Sequence, residues 1–334
     1  MDSRTQRKTK TVKLMRPIFK AMLFVWLLTN SSEQIAAQEL GHYIPGAWDI
    51  RSFISPPPGY YLTLYNYFYT SHDIKNQNGH SIQSINIRDT QIALDINVHN
   101  AFVAPLFIWV PKTKLMGADF AFMLLQPVAN PSLQSSLQIL NTGLSINQSS
   151  WGIADSYVRP LWFTWRWPIV DLSASYAFYA PTGRYRNLSR NNTGLGFWTH
   201  EFQCAGTWFP GKKHLLSVTL AGTYDFNQRK TDIDIRPGNY FSLNWGISQL
   251  FSIREKDSLE IGIPGYDQWQ ITNDSGAAVK GNPSIHDKVH AVGLQVGYTL
   301  AALNLVVTGK CLQEFRARSR FQGRVYTLSL STHF

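Results

Sequence analysis

Ten charged side chains recur at alternate positions of runs otherwise suited to strands: Asp95, Asp119, Asp155, Arg159, Asp171, Glu201, Asp225, Glu260, Lys310 and Glu314. Eight carboxylates and two bases on one polar face admit two kinds of chemistry. They can pair across a narrow enclosed space and stiffen its wall, or they can line a path and select by charge what moves along it. Both readings stand on the sequence alone. Asp155 and Arg159 lie at i and i+4 in WGIADSYVRPLW and so share a strand face, although Pro160 blurs the phase there. Catalysis has less to stand on. GxSxG, HExxH, P-loop, GxGxxG and CxxC motifs are absent, and the histidine pair His286 and His290 joins a loop residue to the start of a strand. The expectation is no catalytic residue, no cofactor and no metal. An embedded lipid or ester hydrolase with a triad assembled from distant segments is the third reading, and a turnover assay would test it.

The elements that must position these groups repeat with a period of two. In Gln91 to His99, Ile92, Leu94, Ile96 and Val98 alternate with Gln91, Asp95, Asn97 and His99. Phe241, Leu243, Trp245 and Ile247 oppose Ser242, Asn244, Gly246 and Ser248, and Trp198, Phe202, Cys204 and Trp208 oppose Thr199, Glu201 and Gln203. A soluble sandwich would show the same alternation. Many of these runs reach about 12 to 16 residues, however, longer than the roughly 3 to 10 of soluble strands and long enough to cross a bilayer at a tilt. Short turns at 111–114, 166–168, 210–213, 253–257 and 299–302 alternate with long polar stretches at 71–87, 129–150, 181–194, 227–238 and 273–286, then a shorter 316–320. That asymmetry predicts an all-β, transmembrane antiparallel β-barrel of about twelve strands, of bacterial outer-membrane type. The count is twelve if Gln91 to Val110 is one strand with a bulge near Asn100 and Pro105, and thirteen if it is two; ten to fourteen bounds it. The phase rule turns the apolar faces to lipid and the ten charged residues to the lumen.

Composition agrees. The 334 residues are 44% hydrophobic and 13% aromatic but only 16% charged, against about 25% charged in an average soluble domain. Basic residues from Arg4 to Lys20, the apolar run Ala21 to Leu28 and the small pair Ala36 and Ala37 follow the order of a secretory signal peptide over 1–37. Without that segment's seven bases and two acids, a chain of net charge +10 falls to +5, and no basic stripe remains for nucleic acid. Cys204 and Cys311 read as free thiols facing lipid rather than a disulfide. Residues 38–59, ending in SPPPG, read as a periplasmic lead-in or a small plug, followed by the barrel over 60–334. Trp162, Trp165, Trp167, Trp198, Trp208 and Trp245 read as an interface girdle. In YYLTLYNYFYT, Tyr60 to Thr70, both faces are aromatic, which calls for either an aromatic lumen wall or a packed N-terminal segment.

The phrases GHYIPGAWDIRSFISPPPGYYLTLYNYFYTS, LMGADFAFMLLQP, GIADSYVRPLWFTW, YAFYAPTGRY, GFWTHEFQCAGTWF, RPGNYFSLNWGI and IGIPGYDQWQIT resemble, in their order, the SphA-like, meta-pathway phenol degradation family of bacterial outer-membrane proteins. The resemblance spans about residues 41 to 334. It implies an outer-membrane barrel associated with aromatic or other hydrophobic compounds, and it supplies no agreed binding residues. The expected function is passive passage of small hydrophobic or aromatic solutes through a narrow polar and aromatic lumen. The alternative is a non-transporting barrel whose long loops act as an anchor, adhesin or assembly partner. Expected partners are outer-membrane lipid, the solute and the barrel-assembly machinery. The last strand, RVYTLSLSTHF, ends on Phe334, which resembles the terminal signal by which that machinery recognises its clients.

Overall fold

The computed structural model describes residues 40–87, 90–139, 142–187, 189, 192–254 and 256–334; the export segment expected over 1–37 lies outside them. Twelve antiparallel strands form one closed sheet. They are β1 (Gly59–Ser71), β2 (Thr90–Val110), β3 (Ala118–Leu125 and Val128–Ile139), β4 (Thr142–Gln148, Gly152–Ile153 and Ser156–Arg166), β5 (Val170–Ala180), β6 (Thr199–Trp208), β7 (Leu216–Asn227), β8 (Tyr240–Ser252), β9 (Ser258–Gln270), β10 (Lys288–Leu300), β11 (Leu305–Arg318) and β12 (Arg324–His333). β12 pairs with β1 from Tyr61↔His333 to Thr70↔Arg324, so every long strand has two neighbours and the barrel presents no edge. The short turns all fall at the end where Gly59 and Phe334 meet.

Alternation sorts the side chains. Phe202, Leu220 and Leu294 stand exposed on the outside, while Glu201, Gln203, Thr223 and Ser242 are buried within. The inner polar residues satisfy one another across strands: Thr207 and Thr219 at 2.9 Å, Ser217 and Ser248 at 2.8 Å, Gln203 Nε2 to Thr223 Oγ1 at 3.0 Å. A closed barrel with an apolar outer band is a fold of the bacterial outer membrane. Cys204 and Cys311 are free and on the exposed face.

Three expectations need correction. β2 has no bulge: its ladders with β1 and β3 keep one register from Ala93 to Val110. The stretch 129–150 is largely strand rather than loop, because β3 and β4 continue past the barrel rim as a hairpin. The polarity of Gln91 to His99 is inverted relative to the barrel. Asp95 is exposed and shares the parity of Phe107 and Trp109 on the outer face, not the lumen. The physical reason is that this part of β2 extends beyond β1, where the outer face meets water instead of lipid and a polar outside is favoured.

Candidate functional site

Residues 40–58 thread the lumen, from the ends of the long loops down to the rim where β1 begins. Wall side chains fix their path. Asn244 Oδ1 accepts from Gly46 N at 2.9 Å, Gln295 Oε1 from Ile50 N at 3.1 Å, and Thr164 Oγ1 from Ser55 N at 3.2 Å. Lys310 Nζ donates to the carbonyls of Ala47 at 3.0 Å and Trp48 at 2.8 Å, and lies 3.3 Å from Asp49 Oδ1. These bonds satisfy backbone groups that an irregular segment would otherwise leave buried and unpaired. Gly46 sits at φ 71°, and a Cβ there would come within 2.5 Å of the Tyr266 ring, so this bend requires glycine. A Cβ on Gly262 would lie 2.5 Å from Ile50, whose side chain fills the hollow that glycine leaves in the wall.

The threaded segment splits the lumen into two chambers. The one toward the long loops, of about 450 Å³, is lined by residues 40–45, 47 and 48 and by rings that include Tyr67, Phe102, Tyr179 and Tyr266. The other, also about 450 Å³, opens toward the short turns between Arg51, Trp162, Arg166, Asp171 and Glu260. Trp48 and Tyr65 line both. Their ring centroids are 6.4 Å apart, Tyr157 lies 6.1 Å from Trp48 on another side, and the Arg159 guanidinium sits 5.6 Å from the Trp48 ring. The Tyr65 hydroxyl is bonded to the carbonyl of Ala47, so the constriction is tied into the segment itself.

The upper chamber is lined by tyrosines yet is largely apolar, because the hydroxyls are engaged with the wall. Tyr69 and Tyr266 donate to Glu314 at 2.9 and 2.7 Å, Tyr157 to Glu201 at 2.8 Å, and Tyr240 to Asp287. What remains toward the cavity is ring surface. Among these rings, Tyr67 stacks on Phe102 at 4.8 Å.

The ten charged residues fall into separate groups. Arg159 and Glu201 form a fully buried pair at 3.1 Å, with Arg159 Nε donating to the Tyr157 hydroxyl at 2.9 Å. Asp225 lies opposite Glu201 in the ladder, and neither of its oxygens has a hydrogen-bond partner among the described residues. Asp119 and Asp171 flank Arg166, the first in direct contact and the second at 3.9 Å, and Arg166 also reaches the Ser55 carbonyl. Glu260 pairs with Arg51 at 3.1 Å, Lys310 holds the segment, and Glu314 collects the tyrosine hydroxyls and the backbone N–H of Gly323 at 2.7 Å. Asp155 accepts from His42 Nε2 at 2.8 Å, Gly183 N at 2.8 Å and Leu195 N at 2.7 Å. Asp95 joins none of them.

Sequence reasoning did not single out His42, Trp48, Arg51, Arg166, Asp287 or Arg320. The signal for the first three was present in the dense aromatic and charged content of GHYIPGAWDIR, a poor match for an exposed leader. Trp162 also departs from expectation: it is buried inside, with the Arg159 guanidinium 5.0 Å from its ring, rather than in the girdle. His286 and His290 turn to different partners, Asn273 at 2.8 Å and Asp267 at 2.5 Å, and no cluster of three metal-ligating side chains occurs among the described residues.

Among solved structures, the chain resembles the COG4313 outer membrane channel from Pseudomonas putida F1 at 14% identity and a TM-score of 0.63, covering 86% of this chain and 100% of that one. It also resembles the β domain of the Bordetella autotransporter BrkA at 8% identity and a TM-score of 0.48, covering 83% and 100%. The first likeness shows the barrel fold over 86% of the chain. No match is found among curated proteins. Residues 71–330 match the family described as "Putative MetA-pathway of phenol degradation", and the chain belongs to that family.

Proposed function

We propose that the barrel is a passive channel for small hydrophobic or aromatic solutes, entered through the upper chamber and left through the lower one. The observation that carries this is the commitment of the Tyr69, Tyr157, Tyr240 and Tyr266 hydroxyls to wall carboxylates. It turns a chamber of about 450 Å³ into an aromatic-faced slot of a size suited to one small molecule. A purely structural lumen has no need of such a space. The two chambers share Trp48 and Tyr65 as walls, and these side chains stand with the threaded segment at the barrier between them. A fold neighbour described as an outer membrane channel is in keeping with this reading.

The experiment is uptake of radiolabelled toluene by cells carrying the protein in an otherwise impermeable outer membrane. Wild-type protein should raise uptake, and Trp48→Ala should raise it further by widening the constriction. Uptake indistinguishable from cells lacking the protein, for both chains, would remove the channel reading and leave the loop-mediated anchor or adhesin.

A further inference from the structure

Strands β2, β3 and β4 do not stop at the rim. Beyond Val98, which is opposite Ser71 at the end of β1, β2 continues for eight residues paired on one side with the short strand Ser84–Ile87 and on the other with β3. β3 in turn pairs with Thr142–Gln148 of β4. This four-stranded tongue stands roughly 25 Å above the barrel, at about 3.3 Å per residue.

Its two faces differ completely. Along the described part of β2, Leu94, Ile96 and Val98 alternate onto one face, with Leu94 and Ile96 half-buried and Val98 buried. Asp95, Asn97 and His99 share the other. The aliphatic face has the parity of Ala104, Leu106 and Ile108, which is the lumen side of β2. It is also continuous with the upper chamber: Val98 and Phe102 on β2 and Leu125, Ala129 and Pro131 on β3 line that chamber, one register step below the tongue. An apolar face turned toward the axis of a pore mouth, above the lipid, has no bilayer to cover it.

We infer that this face is a capture surface for small apolar solutes, which adsorb there from outside and move down the same strand faces into the aromatic chamber. The occupant is assigned by that continuity. A surface that led nowhere would suit a protein partner, whereas this one runs into a cavity sized for one small molecule. The inference rests on the channel reading, and the two can fail separately.

The test is the concentration dependence of toluene uptake by the full chain in cells. Leu94→Ser with Ile96→Ser should raise the half-saturating concentration roughly fivefold, as expected for weakened apolar contact, while uptake at saturation is unchanged. Asp95→Ser on the polar face should alter neither. Heat-modifiable migration of the barrel on gels confirms folding. If the double variant folds poorly, Leu94→Cys labelled after assembly with a charged maleimide makes the same demand. An unchanged half-saturation in a wild-type protein that does transport overturns the capture surface but leaves the channel. A loss of self-association on the double substitution, with unchanged uptake, overturns it in favour of a second copy. No uptake by the wild type removes the channel reading and this one with it.

Discussion

His42 Nε2 lies 2.8 Å from Asp155 Oδ2, joining the upper end of the threaded segment to a wall residue 113 positions away. Both side chains are almost fully buried. Asp155 meanwhile accepts the backbone N–H groups of Gly183 and Leu195, and His42 Nδ1 lies 2.7 Å from Thr199 Oγ1. The His42–Asp155 pair thus ties together the upper end of the segment, the loop after β5 and the start of β6. The rings of Tyr179, stacked at 5.0 Å, and Phe197, edge-on at 4.6 Å, close water out of the contact.

Asp155→Ala should therefore release the upper end of the segment without opening the sheet. Removing the carboxylate takes away a hydrogen bond to a charged group, worth about 1.5–3 kcal/mol, enough to free a short segment held by scattered hydrogen bonds. A cysteine at Leu40 should react with a small thiol reagent much faster in this variant than in wild type, with the heat-modifiable barrel band retained. Equal reaction rates would show that the segment is held elsewhere.

The same contact gives the upper end a pH dependence. Burial is the largest influence on His42 and sets its pKa below the ordinary 6.5; Asp155 opposes this through its hydrogen bond and charge, and Lys230 adds to the lowering. The other packed groups, Thr199, Tyr179 and Phe197, are uncharged. A histidine with a lowered pKa in the docked state holds its proton less tightly there than when released. Its contribution to docking is complete above about pH 6.5 and is lost as pH falls below it. Protection of a cysteine at Leu40 should thus decline from about pH 7.5 to about pH 5, and His42→Gln should flatten the decline. A slope unaltered by that substitution assigns the dependence to another group.

Much of the barrel was legible because lipid is a strict judge of pattern. Phe241, Leu243 and Ile247 against Ser242, Asn244 and Ser248 can be read as out and in, since one face must be apolar. The rule fails where its cause ends. At Asp95 the strand has left the bilayer, the outer face is wet, and the same alternation means the reverse. It also says little about the lumen, where Arg159 with Glu201 and Lys310 with the Ala47 and Trp48 carbonyls are brought together by closure of the sheet and by the threaded segment. Those partners lie far apart in sequence, and no periodicity links them.

The acids in the wall should not respond alike to removal. Glu201 is neutralised by Arg159 and accepts from Tyr157, whereas Asp225 faces Glu201 across the ladder with no hydrogen-bond partner among the described residues. Arg159→Met leaves two adjacent buried carboxylates without a cation and should destabilise the barrel by about 3–5 kcal/mol in urea unfolding. Asp225→Asn replaces a buried acid that has no hydrogen-bond partner among the described residues and lies opposite Glu201, and should leave stability equal or higher, by up to about 1 kcal/mol. A large loss on Asp225→Asn would mean that Asp225 is the structural member of the pair.

Closure of the sheet leads to the last prediction. Phe334 N donates to the Tyr60 carbonyl at 2.9 Å and Tyr60 N to the Phe334 carbonyl at 3.4 Å, so the final residue completes the β1–β12 seam while its side chain stays exposed at the rim. Deleting Phe334 removes one terminal pair of backbone hydrogen bonds from a ladder that runs from Tyr61↔His333 to Thr70↔Arg324, and terminal bonds of this kind contribute only about 1 kcal/mol each. Purified protein lacking Phe334 should thus refold into detergent nearly as well as wild type. In cells the expectation is different. If the exposed terminal ring is what the assembly machinery reads, the truncated chain should reach the outer membrane at a small fraction of the wild-type level, and Phe334→Trp should restore most of it. Normal surface levels of the truncated chain would leave Phe334 as the end of a seam and nothing more, and failure in both settings would make the seam itself the limiting step.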